Sequence, residues 1–466
     1  MASRKVTLIN PPVEPFRKIM RNFDCATESK GNYLYQPYDF LLLTGKIPEH
    51  FEIAFYDFVA DEIDFQTSIN TLQNTEHDII VCSLAATNWK QDFEFIKILK
   101  SKLQHNLLFV FGDLFIDKNR RLEIESYVSG ILTSPVQLNF ESLLHLNIDQ
   151  YSSLDALNPD KLYSKKDLKN PTSYSLDLPR HSLIQHKKYR WPFSRHFRYT
   201  TVFTAWGCPY SCSYCILSNF PNYWRDYQEV FNELLEVKNL GFKEFYMGDR
   251  SFGLPLNNVK SLLKLMIDNK LNLKWSTYFH PNQYDEELLN LMKESGCHTI
   301  IVGVESYNLE SLKTFGRHVR KNQFFSLIEH AKKINMQVCG DFIIGLPEED
   351  LSDIRKTIQF SIDLNLDFAS FNIAAPLAGS VIKEMAQKNG SMSFDEENID
   401  SLGKNKVISV GKLSPYEIKK LRNEAVFRFY MRPTYLFKRL IRIRSIEHLI
   451  IQLQEAFVLF SKSLGG

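Results

Sequence analysis

The chain has 466 residues, 44% hydrophobic and 24% charged, with a formal net charge of +2; this is the composition of a soluble globular protein with room for two or three domains. No run of eighteen apolar residues occurs, and the opening MASRKVTLINPP lacks the apolar core and cleavage site of a signal peptide, so neither a spanning helix nor export is expected. The expected location is cytoplasmic, where seven cysteines read as thiols or metal ligands rather than as a disulfide framework.

Residues 1–150 alternate short apolar runs with helical patterns. VTLINPP (6–12), FEIAFYDFV (51–59), DIIVCSL (78–84), LLFVFGD (107–113) and SGILTS (129–134) are the strand candidates, and QDFEFIKILKSKL (91–103) is one of the helices. Strands separated by helices imply βαβ units, and so a doubly wound parallel sheet of about five strands. Ligands of such sheets bind at the carboxyl ends of the strands, here after Asn10, Ser83 and Gly112.

Residues 151–197 are polar, carry four prolines and show no period, which predicts a linker lying over the surface. A second alternation fills 198–400. Its strand candidates are YTTVFTAW (199–206), FKEFYMGD (242–249), LKWSTYF (273–279), HTIIVGVE (298–305), QVCGDFIIGL (337–346) and DFASFNIA (367–374). Six βα units predict a partial (β/α)6 barrel with its chemistry at the strand C-termini. Residues 401–466 read as helical. From Lys412 onward 11 Lys/Arg stand against 4 Asp/Glu, a local +7 that leaves about −5 for the rest. This basic tail reads either as a solvated helical face packed on the body or as a surface for peripheral membrane contact.

The sharpest feature is Gly207-Cys208-Pro209-Tyr210-Ser211-Cys212-Ser213-Tyr214-Cys215. Three of the seven cysteines fall at C-x3-C-x2-C directly after the first strand of the second domain, a spacing that chance explains poorly. Three thiolates on one loop can bind three irons of a 4Fe–4S cubane and leave the fourth iron open. Structural zinc would want a fourth ligand at matching spacing, and none is near.

The motif resembles that of the radical S-adenosylmethionine (SAM) superfamily. Tyr214 is similar to the aromatic that borders the adenine in that family. Gly248 and Asp249, ending the second strand, match the element near the SAM amino end. Gly303-Val304-Glu305-Ser306 resembles the family's G-x-E-S element, and Phe342-Ile343-Ile344-Gly345-Leu346-Pro347 the stretch that helps contain the adenine. Pro376 to Ser380 fits the loop after the sixth strand. The resemblance covers about residues 198–385. It implies Cys208, Cys212 and Cys215 as cluster ligands, and Tyr214, Gly248, Asp249, Gly303, Glu305, Ser306 and Gly345 as cofactor-binding positions. The implied chemistry is reductive cleavage of SAM to a 5′-deoxyadenosyl radical, with no protein side chain singled out as catalytic. Arg250 departs from the family's common Asp-Asp, and His280 stands where many members carry an arginine.

A doubly wound domain ahead of such a barrel, with Phe429-Tyr430-Met431-Arg432-Pro433 in the tail, resembles the cobalamin-binding class of the superfamily. That class implies cobalamin as a third cofactor and C-methylation of an unactivated carbon in a small-molecule or lipid-like substrate. It also implies an electron donor such as flavodoxin or ferredoxin. Against it, D-x-H-x-x-G is absent, and Phe111-Gly112-Asp113-Leu114 replaces the usual Gly-Gly-x-His. A cobalamin-independent oxidoreductase or cyclase with a vestigial first domain is the alternative. Nucleic acid is not expected as a partner, because a second cysteine trio and an RNA-binding module are both missing.

Overall fold

A computed structural model of the chain describes residues 4–21, 33–103, 107–132, 134–136, 140, 172–392, 407–441, 449–450, 453–454 and 457. Strands β1 (Lys5–Asn10), β2 (Glu52–Asp57), β3 (Ile79–Ser83), β4 (Leu107–Phe111) and β5 (Gly130–Leu132) pair in the order β2-β1-β3-β4-β5, every pair parallel. β1 and β3 are buried almost throughout, as strands covered on both faces must be. The order reverses between β1 and β3, which puts the switch point of the doubly wound sheet at Asn10 and Ser83.

Further along come β6 (Thr172–Ser173), β7 (Thr200–Val202), β8 (Ala205–Trp206), β9 (Tyr223–Trp224), β10 (Glu244–Met247), β11 (Lys274–Phe279), β12 (Cys297–Glu305), β13 (Gln337–Ile344) and β14 (Phe368–Ile373). Six of these form the parallel sheet β14-β13-β12-β11-β10-β7, an open barrel whose end strands do not pair with each other. Helices on its outside start where short polar side chains meet first-turn N–H groups. Asp285 accepts from Leu288 N at 2.8 Å, and Asp350 from Asp353 N at 3.0 Å.

Both open edges are covered. Gln36, from the first domain, accepts from Thr201 N at 2.9 Å beside β7. On the other side the Pro415–Tyr430 helix lays Tyr430 against β14, its hydroxyl donating to Ala369 O at 2.7 Å and accepting from Ala369 N at 3.1 Å. An uncovered edge would invite pairing with other chains.

The segment expected to lie over the surface does not do so where it is described. Trp191 stacks on Tyr246 of β10 with ring centroids 3.7 Å apart, and its Nε1 donates to Ser276 Oγ on β11 at 3.0 Å. Phe193 packs edge-on to Phe368 at 5.3 Å. Glu244 Oε2 accepts from the backbone N–H groups of Arg195 and His196 at 2.8 and 2.9 Å, while its Oε1 meets His298 Nε2 at 3.0 Å. The segment therefore plugs the N-terminal end of the barrel. Tyr189 ties it to the first domain by donating to Asp57 Oδ2 at 2.5 Å, a buried carboxyl whose pKa burial raises. Average polarity hid this, because Tyr189, Trp191 and Phe193 stand among Lys and Arg that are exposed or half-buried. Trp191→Ala should cost about 3–5 kcal/mol by emptying the plug. Urea unfolding followed by circular dichroism checks it, and a loss below about 1 kcal/mol would show that the plug carries no packing.

Candidate active site

Past β7 the chain turns through β8 into the cysteine loop. Gly207 makes the turn at φ +90°, where an added Cβ would lie 2.1 Å from Pro221 O, so only glycine fits. The loop is pinned from two sides. Ser213 N donates to Phe315 O at 2.9 Å, and Val381 N donates to Ser213 O at 2.9 Å. It therefore spans from the loop after β12 to the loop after β14. Cys212 is buried and Cys208 and Cys215 are half-buried. Burial pushes two of these thiols up, Cys208 to about 11 and Cys215 to about 12. Among the described residues no three His, Cys, Asp or Glu converge on one metal-ion position.

Beside the thiols lies a residue that the sequence did not single out. Arg317 is buried, with one nitrogen donating to Gly303 O and another 3.9 Å from Cys212 Sγ; Glu305 Oε1 lies 3.9 Å from the guanidinium. Burial works against its charge, but Tyr214, Glu305 and Cys212 outweigh that and raise its pKa. Its Nε finds no hydrogen-bond partner among the described residues, nor does the buried hydroxyl of Tyr214. Buried polar atoms left open beside three thiols fit an absent polar cofactor. Glu305 itself sits at φ +65°, at a register shift between β12 and β13, and such strain in a non-glycine residue marks functional positions.

Residues 204–361 match the family model described as the Radical SAM superfamily. The chain is an enzyme with a radical SAM domain. The family's cofactors are a 4Fe–4S cluster and SAM, and the thiols and open polar atoms above are where this chain would hold them. The chain is 24% identical over 454 residues, 94% of its own length and 95% of the relative's, to an uncharacterized methyltransferase, PH0819, of Pyrococcus horikoshii. Its fold is shared with the radical SAM methyltransferase TsrM of Kitasatospora setae, solved with tryptophan and a SAM analogue (TM-score 0.63, 16% identity, covering 84% of this chain and 77% of that one). It is shared also with the cobalamin-dependent radical SAM enzyme OxsB, solved with aqua-cobalamin and SAM (TM-score 0.62, 14% identity, 98% and 72%).

The other expected positions of the radical SAM domain split into two groups. Gly303 and Glu305 stand on the inner face of β12. They are half-buried, as are Tyr278, Asp341, Ser370 and Asn372 on neighbouring strands, so the barrel interior is open at this depth. Asp249, by contrast, turns its carboxylate to the backbone ahead of the cysteine loop. It accepts from Thr204 N at 2.8 Å, Ala205 N at 3.1 Å and the Thr204 hydroxyl, and burial pushes it to about 6. Gly248 leaves room for the Phe203 ring, which an added Cβ would meet at 2.4 Å. Both hold the loop's entry strand.

Ser306 also faces away from the interior, donating to Glu349, which accepts from Leu346 N at 3.3 Å as well. Gly345 sits against Ile418 of the C-terminal helix. His280 stacks on Tyr210 at 3.7 Å, and burial, reinforced by Arg317, pushes its ring down to about 2, so it is a neutral imidazole. Arg250 reaches across to the first domain, its guanidinium donating to the Tyr38 hydroxyl and resting 5.8 Å from the Tyr278 ring.

Burial pushes Glu349 up to about 7 against the opposing hydrogen bond from Ser306. A carboxyl raised above its unfolded value binds an extra proton in the folded state, so stability falls as pH rises from about 4.5 to about 7 and is level above that. Relative to wild type, Glu349→Gln should gain on the order of 1–3 kcal/mol across that window. Thermal melts at half-unit pH steps check this, and parallel curves for the two proteins would contradict it.

Proposed function

We propose that this radical SAM enzyme is a methyltransferase acting on an unactivated carbon of a small polar molecule, with cobalamin held between its two parallel sheets. The observation that carries the reading is that loops at the carboxyl ends of both sheets meet. Asp117, after β4, pairs with Lys383, beyond β14, at 2.9 Å; Ile116 packs on Gly379; and Arg250 meets Tyr38. A ligand there would touch both domains. On the turn directly after β3, Thr87 Oγ is buried without a hydrogen-bond partner among the described residues, which fits a polar ligand at that strand end. Beside Gly112 there is no space, since an added Cβ would lie 2.5 Å from Leu84 O, so the ligand would stay at the mouth of the domain.

In this reading Cys208, Cys212 and Cys215 hold the cluster, Arg317 and Glu305 face the charged end of SAM, and Tyr214 borders it. Bound, these cofactors supply one-electron reduction, hydrogen-atom abstraction and a methyl group. Asp249, Gly248, Ser306 and Gly345 position the loops. The half-buried Asp341, Ser370, Asn372 and Tyr278 of the interior favour a polar substrate over a lipid-like one. A cytoplasmic location agrees with thiols that must stay reduced. Among the described residues no helix is long and apolar enough to cross a membrane. The Pro433–Ile441 helix exposes Phe437, Leu440 and Ile441 beside Lys438 and Arg439, which supports peripheral contact with an anionic membrane surface.

Anaerobic reconstitution with iron, sulfide and hydroxocobalamin, followed by desalting and SAM turnover under reductant, tests the reading. A retained corrin band with both 5′-deoxyadenosine and S-adenosylhomocysteine formed supports it. Cluster absorbance and 5′-deoxyadenosine with no corrin would replace it with the cobalamin-independent oxidoreductase or cyclase.

A further inference from the structure

Outside the barrel mouth lies a groove with about 700 Å3 of space. Lys313, Arg317, His318, Arg320 and Lys321 line it against one carboxylate, Glu310. Its side wall is held shut by Asn282 Nδ2 donating to His318 O at 2.8 Å. This concentration of positive charge is local, since the chain ahead of Lys412 carries a net charge of about −5. The groove also has a privileged position. Its floor residue, Arg317, has a nitrogen 3.9 Å from Cys212 Sγ, and Phe315 and Gly316 pack on the cysteine loop at Ser213 and Ser211. Pro209 and Ser211 of that loop are exposed. A basic surface apart from the barrel interior therefore lies beside the cysteine loop.

We propose that this groove is the docking face for the enzyme's reductant, an acidic one-electron carrier protein with a low-potential flavin or iron–sulfur centre. The inference rests on the radical SAM reading, which requires an electron at the cluster. One electron leaves the carrier's reduced centre, which is oxidised, and enters the cluster, which is reduced; no bond forms or breaks and no proton moves. Opposite charge steers such encounters and fixes their orientation, and it does so less as salt rises. Separating this entrance from the substrate's keeps the carrier from blocking the barrel.

The test uses the reconstituted protein and a bacterial flavodoxin of net negative charge. Binding is measured by biolayer interferometry and cluster reduction by stopped-flow absorbance, for wild type and for Lys313→Glu/Arg320→Glu/Lys321→Glu. Reduced methyl viologen, a cation, is the second reductant. Flavodoxin binding and reduction should each fall about tenfold or more in the variant, and wild-type binding should fall steeply between low and high salt. Reduction and SAM cleavage driven by methyl viologen should stay at wild-type levels. Unchanged flavodoxin binding, salt-insensitive wild-type binding, or an equal loss with methyl viologen would each overturn the docking face, the last by making the groove a site for substrate or SAM. Should wild type fail to cleave SAM with methyl viologen, the radical SAM reading itself fails, whatever the binding shows.

Discussion

Replacing Cys212 with alanine is expected to remove both the iron–sulfur absorbance and 5′-deoxyadenosine formation, a loss well beyond the ~10–100-fold typical of residues that only support metal ligands. Cys212 is the buried member of the trio and the one in contact with Arg317. No described thiol can stand in for it, since Cys82, Cys297 and Cys339 are buried in β3, β12 and β13. The backbone should survive, because the loop is pinned through Ser213 rather than through the sulfur. Iron and sulfide content, the absorbance spectrum and product chromatography read the outcome. An intact cluster with turnover in the variant would refute the ligand assignment, and Cys339→Ala serves as the control that keeps both.

Arg317→Met should weaken SAM binding by about 30-fold to several thousand-fold, the range for removing one partner of a buried charge pair. The substitution keeps the apolar stem and deletes the charge that faces Glu305 and Cys212 at the distances given above. Glu305 would then lose the guanidinium beside it, and removing one partner of such a pair costs about 3–5 kcal/mol. Arg317→Lys should recover little, because one planar guanidinium serves the Gly303 carbonyl, the Cys212 side and the open Nε position together, and an ammonium cannot. Equilibrium dialysis with SAM on the reconstituted protein separates affinity from turnover. Affinity unchanged in both variants would assign Arg317 to packing alone.

The strands and the cysteine loop were legible because their signals are local. Alternation located all eleven strands of the two large sheets, and C-x3-C-x2-C needs only eight consecutive residues. Arg317 was not legible. It stands in Phe315-Gly316-Arg317-His318-Val319-Arg320, where nothing separates it from Arg320, and it meets Cys212 only across 105 residues of folded chain. The turn at Gly316, φ +75°, was the one available hint. Asp249 and Ser306 show the converse. Their motifs were visible, but which way a carboxylate or hydroxyl turns depends on neighbours such as Thr204 and Glu349 that no spacing announces. The small sheet β6-β9-β8 was likewise invisible, its strands of two residues being too short to carry a period.

The barrel's plug has a consequence for how the molecule is made. Synthesis runs from the N-terminus, so Tyr189, Trp191 and Phe193 leave the ribosome ahead of every strand that will enclose them. By then the first domain is complete and offers Asp57 to Tyr189. The strands then assemble around a post that is already anchored, rather than closing empty and admitting it afterwards. A barrel expressed from Thr200 onward would lack that post. Tyr246, Ser276 and Phe368 would face water at its base, and aggregation, not a smaller soluble enzyme, is what such a fragment should give.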